Sequence, residues 1–428
     1  MAFLHNRSRW LIVSLLFAIT VISYVDRAAI SFAVPTLEKE FGFSSSSIGL
    51  ILGAFGIGYA ITAIIGGAAI DRLGARRTLG VSVFVWSCSM ATMGAASGFL
   101  SLLFSRAALG VAEGPNLPAL NGTIGRWLPV RERAVALSAA LVAVPLALAV
   151  GAVALSNLIS IFGWRISFYM LSCLGFLWLP VWILFARTRP EDSPWTSQAE
   201  RDYIAAGQPV DKLAEAKGTG AELKLLLRSP TFWTNCWAYL VFAYFLFFFM
   251  SWLPGYLHKS HGLELQQIGL VSVLPWLAGA IAMVFVGRLS DATLARTGSL
   301  RRSRSLPIAI TQFIAVVAII PVALTSSLIV AICGITVAVA ASIGGNPAYY
   351  AVVTDIAPRL SGTSLGIMTM FFAVAGIAAP TLTGFLVDAT GSFSPAFMLM
   401  AGLALSSVIA VLIFHQPDRD VAAAQEAA

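Results

Sequence analysis

Apolar runs of roughly 20 residues recur along almost the whole of this 428-residue chain, separated by short polar punctuation. Each is long enough, as a helix, to cross a hydrocarbon core about 30 Å thick. Composition bears this out: 58% of the residues are hydrophobic and 11% are charged, against about 25% charged in an ordinary soluble domain. Such a chain cannot cover itself with polar surface, so it reads as an all-α, polytopic membrane protein.

Hydropathy and turn residues together predict spans near 10–35, 47–70, 78–96, 100–124, 134–160 and 166–186, then near 231–257, 267–290, 306–325, 328–352, 363–388 and 394–414. The only long polar stretch lies between the two sets and collects Pro190, Pro194 and Gly218. The predicted organisation is an N-terminal six-helix bundle over 1–186, a cytoplasmic linker over 187–230 and a C-terminal six-helix bundle over 231–428. The first run carries Asp26-Arg27 and is too long for a signal-peptide core, so it reads as the first span.

Positive charge orients the chain. Of the 27 Lys and Arg, only Lys39, Arg165 and Lys259 fall in the loops that lie outside when both termini are cytoplasmic, and Arg27 and Arg106 lie within spans. The positive-inside rule therefore places both ends in the cytoplasm. The basic character is spread over short inner loops and matches an anionic inner leaflet, so it is no sign of nucleic-acid binding. Cys88, Cys173, Cys236 and Cys333 sit in separate apolar runs and suggest neither disulfides nor a metal site. His258 and His261 have no third ligand nearby.

Four charges stand where charge is costly: Asp26 and Arg27 in the first span, Arg106 and Glu113 in the fourth. Ionisable groups at bilayer depth are seldom left there unless paired or used. Arg106 and Glu113 are seven residues apart, two turns on one helix face and about 10 Å along the axis. Asp26 and Arg27 are adjacent and point about 100° apart, so they should have different tasks. Two acids and two guanidiniums sum to zero. An added organic anion leaves one excess negative charge, and a proton on Asp26 or Glu113 restores neutrality. A neutral loaded site crosses a low-dielectric barrier more cheaply than a charged one. Arginine's planar fork suits a carboxylate, which nominates Arg27 for the substrate and Arg106 as the partner that Asp26 or Glu113 releases on protonation.

The two halves echo each other. Gly67-Ala-Ala-Ile-Asp71-Arg72-Leu-Gly74-Ala-Arg76-Arg77 follows span two, and Gly287-Arg-Leu-Ser-Asp291 with Arg301 and Arg302 follows span eight. These loops resemble the repeated cytoplasmic signature of the major facilitator superfamily, and Arg106-x-x-x-Gly110-x-x-Glu113 resembles its second signature. Tyr24-Val-Asp26-Arg27, Gly58-Tyr59-Ala60, Gly114-Pro115, Gly163-Trp164-Arg165, Trp252-Leu253-Pro254, Asp355-Ile-Ala-Pro358 and Thr390-Gly391-Ser392 resemble, more narrowly, the anion:cation symporter family of sugar-acid and phthalate permeases and sialin-like carriers. That resemblance implies two pseudo-symmetric six-helix bundles. It also implies Asp26 and Glu113 as proton-coupling acids, Arg27 as the substrate-binding arginine and Arg106 as the coupling arginine. Asp71, Arg72, Arg76, Arg77 and Asp291 are expected to form a cytoplasmic gate. The glycines Gly49, Gly53, Gly56, Gly366, Gly376 and Gly384 are expected to let helices pack closely.

In span eleven the chain departs from sugar-acid carriers, reading Gly366-Ile-Met368-Thr369-Met-Phe371-Phe372-Ala373 where they carry asparagines. Span seven adds Phe245, Phe247, Phe248 and Phe249, which either line the site or face lipid, and span eight adds Trp276. Hydroxyl partners remain in Asn346, Tyr349, Tyr350, Thr369, Tyr24 and Tyr59. A missed buried hydrogen bond costs about 1–3 kcal/mol, so a smaller or aromatic carboxylate is expected over a polyhydroxylated sugar acid.

The expectation is a monomeric, multi-pass symporter of a plasma membrane, as of a bacterial inner membrane. It imports a small organic anion with protons and has no cofactor or enzymatic centre. The rivals are a proton-coupled exporter on the same fold and an anion receptor that does not transport.

Overall fold

Glycine sets where many helices of this chain stop. The computed structural model describes residues 7–208 and 220–426, except for the side chains of a few positions, Asp71 among them, and the described residues are helices and connecting turns with no strand. Six glycines among the described residues have positive φ, and they fall into pairs. Gly42 follows α1 (Ser8–Phe41) as Gly262 follows α9 (Pro230–His261). Gly74 follows α2 (Ser45–Leu73) as Gly298 follows α10 (Leu265–Thr297). Gly163 divides α6 (Val130–Phe185) into two helical stretches, as Gly391 separates α14 (Ser361–Thr390) from α15 (Ser394–Phe414). A Cβ is disfavoured in that conformation, so the two-fold repeat is written into the backbone at the same three connections of each half.

The fourth span of each half is interrupted. In the first half α3 (Ala75–Gly94) is followed by α4 (Phe99–Glu113), and Gly114-Pro115 separates α4 from α5 (Asn116–Trp127). In the second, α11 (Leu306–Leu324) is followed by α12 (Leu328–Gly344), and Gly345 separates α12 from α13 (Asn346–Ile356). Nine helices among the described residues are long and apolar enough to cross a membrane, and one of them, α6, holds two spans joined at Gly163. α4 and α5, at 15 and 12 residues, are individually too short, and α3 is diluted by Thr78, Ser82, Ser87, Ser89 and Thr92. Pro35, the expected end of the first span, lies inside α1, which runs on to Phe41. At 1.5 Å per residue, 34 residues extend about 50 Å, well beyond the hydrocarbon.

The chain forms two compact units. One runs to Thr36 and resumes at Ala54 through the linker helix α7 (Gln198–Ala206); the other holds Leu37–Gly53 and continues from α8 (Gly220–Arg228) through α16 (Pro417–Glu426). In the first unit the linker is docked. Glu200, buried, accepts from the backbone N–H of Ser8 at 3.1 Å, the Ser8 hydroxyl at 2.6 Å and Arg9 Nη1 at 3.0 Å. A carboxylate thus meets the orphan N–H groups of the first turn of α1, where the helix dipole favours negative charge.

In the second unit the first turn of α2 is capped in the same way. Asp388 accepts from Ser45 N at 2.8 Å and Ser46 N at 2.7 Å, and Lys259 binds Glu38 at 2.7 Å and Ser45 Oγ at 2.9 Å. The expected close approach holds at Gly49, where a Cβ would meet Pro380 O at 2.7 Å and Gly384 Cα at 3.2 Å. It does not hold at Gly366, which has open space around it. Phe245, Phe247, Phe248 and Phe249 are buried and face no lipid: Phe247 packs on Phe372 at 4.9 Å and Phe248 on Phe397 at 5.3 Å between ring centroids.

His415, after the last turn of α15, is fully buried, with Nδ1 2.7 Å from Ser305 Oγ and with Asp420 and Arg301 as its charged neighbours. Burial lowers its pKa from 6.5 to about 4. The unfolded chain therefore binds a proton that the folded chain refuses between those values, so stability falls as pH drops from 6.5 to 4 and levels off below. At 1.36 kcal/mol per pH unit the loss is roughly 3 kcal/mol. His415→Gln should flatten this part of the pH dependence of thermal unfolding in detergent; an unchanged slope would refute the assignment.

Candidate functional site

In the first unit, one face of α1 presents Ser23 and Arg27, four residues apart and therefore stacked. Both reach the carboxylate at the end of α4. Arg27 Nε donates to Glu113 Oε2 at 2.5 Å and Ser23 Oγ donates to the same oxygen at 2.7 Å. Glu113 Oε1 has no partner among the described residues. Arg106, two turns back on α4, donates from Nη2 to the Arg27 carbonyl at 2.9 Å. Asp26 takes no part in these contacts; it is 1% exposed and neither of its oxygens has a hydrogen-bond partner among the described residues.

Aromatic rings complete the enclosure. The Arg27 guanidinium lies 4.6 Å from the Tyr24 ring centroid, 4.7 Å from Phe55 and 5.1 Å from Tyr59, and Arg106 lies 5.1 Å from Phe55. Desolvated cation–π contacts are worth about 2 kcal/mol each, so the rings hold the cation as well as wall it off. Two glycines bring them there: a Cβ on Gly58 would lie 2.6 Å from Val111 N, and one on Gly110 would strike the α2 backbone at Phe55. The motif glycines thus let α2 and α4 touch, and Phe55 and Tyr59 ride in over the arginines.

The four charges nominated from sequence come together, with one change of partners. Arg106 was expected to hold an acid; Arg27 makes the ion pair, and Arg106 supports it through the backbone. The stagger of Ser23 and Arg27 turns Arg27, not its neighbour Asp26, toward Glu113. Tyr24 and Tyr59, expected as substrate donors, line the Arg27 guanidinium.

In the second unit the expected donors separate. Tyr349 is fully buried; Gln312 Nε2 donates to its hydroxyl at 2.9 Å and Asn235 Nδ2 to its carbonyl at 3.1 Å. It therefore belongs to an internal network. Tyr350 is half-buried, with its hydroxyl 2.9 Å from that of Tyr239. Thr369 donates to its own helix at Leu365 O at 2.8 Å, Trp276 is buried, and Asn346 is half-buried with Oδ1 unpartnered among the described residues. Asn235, Gln312, Tyr239 and Ser23 were missed; for the amides the available signal was a lone Asn or Gln in an apolar run.

The expected gate residues make local contacts. Arg76 donates to Ile183 O at 2.7 Å, whereas Arg72 and Arg77 are exposed. The side chain of Asp71 lies outside the described residues. Asp291 pairs with Arg304 at 2.9 Å, and Arg304 also binds Asp355 at 3.1 Å. Arg304, rather than Arg301 or Arg302, is the counterion of Asp291.

Breaking a buried pair from one side costs about 3–5 kcal/mol, because an uncompensated charge remains. Glu113→Ala should lower unfolding stability in detergent by about that much, whereas Asp26→Asn, which breaks no hydrogen bond, should be neutral or stabilising. Equal losses in the two variants would contradict the observed pairing.

Residues 16–380 match the Major Facilitator Superfamily. The chain is 31% identical over 417 residues to the hexuronate transporter of Bacillus subtilis (strain 168), covering 97% of this chain and 96% of that protein. It is 29% identical over 424 residues to the probable galactarate/D-glucarate transporter GudP of Escherichia coli (strain K12), covering 96% and 94%. It is 27% identical over 409 residues to the probable sulfoacetate transporter SauU of Cupriavidus necator (strain ATCC 17699 / DSM 428 / KCTC 22496 / NCIMB 10442 / H16 / Stanier 337), covering 96% and 94%. A crystal structure of a bacterial homolog to the human lysosomal transporter Spinster, inward-facing and unoccupied, shares the fold, with a TM-score of 0.77 at 19% identity over 97% of this chain and 98% of that one. With its twelve spans in two six-helix repeats, the chain belongs to the major facilitator superfamily and is a membrane transporter, not an enzyme.

Proposed function

We propose that this protein is a proton-coupled symporter that imports an organic carboxylate by alternating access. The observation that carries the proposal is the buried Arg27–Glu113 pair with Asp26 beside it, unpartnered among the described residues. An anion can use Arg27 only if Glu113 gives it up, and a proton on Glu113 is the simplest release, because it removes the charge that holds the guanidinium. Oε1 is the oxygen open to that proton, since Oε2 already accepts two donors. An ionised Asp26 would be a buried charge without a hydrogen bond, costing several kcal/mol; a proton there removes the cost. With one of the two acids protonated, substrate, both arginines and the remaining carboxylate sum to no net charge, the condition for crossing a low-dielectric barrier.

The relatives support the anion: a hexuronate, a galactarate or glucarate and a sulfoacetate each carry a carboxylate.

In proteoliposomes with an inward pH gradient, D-glucuronate, D-glucarate, sulfoacetate and benzoate should be compared, with at least one accumulating. Asp26→Asn and Glu113→Gln should abolish accumulation while leaving counterflow of the same anion, and Arg27→Ala should abolish both. Accumulation that survives both acid substitutions would sink the proton coupling, and transport that survives Arg27→Ala would favour an exporter without a carboxylate site. Binding without accumulation in the wild type would identify a receptor.

A further inference from the structure

Hydroxyl side chains inside membrane helices commonly hydrogen-bond the carbonyl one turn back on their own helix. Thr20 does so on α1, donating to Leu16 O at 2.8 Å, as do Thr123, Thr369 and Thr383 elsewhere. Ser23 does something different. Its hydroxyl leaves its own helix and donates to Glu113 Oε2 at 2.7 Å, and both residues are fully buried.

We infer that Ser23 is a positioning residue for the Glu113 carboxylate: it fixes Oε2 against Arg27 Nε and leaves Oε1 as the oxygen that takes the proton. The inference deepens the proposed symport and rests on it for its physiological meaning. Two donors on one oxygen fix the rotation of the carboxyl group, because the Ser23 hydroxyl and the Arg27 Nε–H approach from the same helix face, one turn apart. Without Ser23, Glu113 keeps its ion pair but is free to rotate about it and to offer either oxygen.

The other charged and titratable groups around the carboxylate are Arg27, Tyr24 and Asp26 from α1 and Arg106 from its own helix, with Tyr59 of α2 over the Arg27 guanidinium. None of these is altered when Ser23 is replaced, so the contribution of the hydroxyl can be isolated.

The test needs no substrate. Infrared difference spectra of the purified protein, recorded as pH is stepped, contain carboxyl bands, and the band lost in Glu113→Gln belongs to Glu113. In Ser23→Ala the frequency of that band should shift, because a donor is gone. Ser23→Thr, which keeps the hydroxyl, should stay near the wild type. Size-exclusion and thermal-unfolding profiles establish that each variant is folded. An unchanged band frequency in Ser23→Ala, an equal shift in Ser23→Thr, or the absence of any band assignable to Glu113 would overturn the inference. Because no anion is present, these results stand apart from the transport assays. Loss of pH-driven uptake in the wild type would defeat the symport reading and leave the Ser23 result as a property of the ion pair alone.

Discussion

A buried guanidinium and a buried carboxylate hold the first unit to its purpose. Each ion alone would cost several kcal/mol in a water-poor interior, and the two together are tolerable only when contact is direct and the remaining polar atoms are served. Arg27 and Glu113 meet at 2.5 Å, Ser23 adds a donor to the acid, Arg106 ties the Arg27 backbone to α4, and Tyr24, Phe55 and Tyr59 surround the cation. Much of the local architecture follows from that need. Gly58 and Gly110 remove the Cβ atoms that would keep α2 and α4 apart, and the approach delivers the aromatic rings. In the proposed cycle the pair is also the switch, since anything that neutralises Glu113 frees Arg27 for an incoming anion.

The two acids of the site are physically unlike. Glu113 accepts two hydrogen bonds on one oxygen, and Asp26, one residue before Arg27 on α1, has none on either oxygen among the described residues. This difference comes from helix geometry alone. The sequence places Asp26 and Arg27 side by side, and the 100° step between them brings Arg27 onto Glu113 and leaves Asp26 off that contact. The presence of four intramembrane charges, their types and their division between spans one and four were legible in the sequence. Which arginine meets which acid was not, because the two arginines are chemically equivalent and the choice rests on helix phase and on the rotation of α1 against α4.

Elsewhere legibility followed the same physics. The repeat was readable in the loop motifs and runs deeper in the backbone, through the paired glycines Gly42 and Gly262, Gly74 and Gly298, Gly163 and Gly391. Pro35 was a poor stop signal, since α1 simply continues past it to Phe41. The phenylalanines of α9 were ambiguous because aromatic side chains suit a protein core and lipid equally well; the structure buries them. Ser23 was invisible because a serine in an apolar helix usually satisfies itself. Asn235 and Gln312 deserved the scrutiny given to the charges, being groups that hydrocarbon penalises; they hold Tyr349 inside the second unit, which leaves Tyr350 as the more accessible hydroxyl.

The central claim is that taking up an anion and taking up a proton are one linked event at Arg27, Glu113 and Asp26. Calorimetric titration of the purified protein with its transported anion, repeated in buffers of different ionisation enthalpy, counts the protons bound with each anion directly. The account predicts net uptake of about one proton per anion at a pH where the empty site is ionised, as the charge sum of two acids and two arginines requires. Binding enthalpies that are identical in every buffer, meaning no proton taken up, would contradict it.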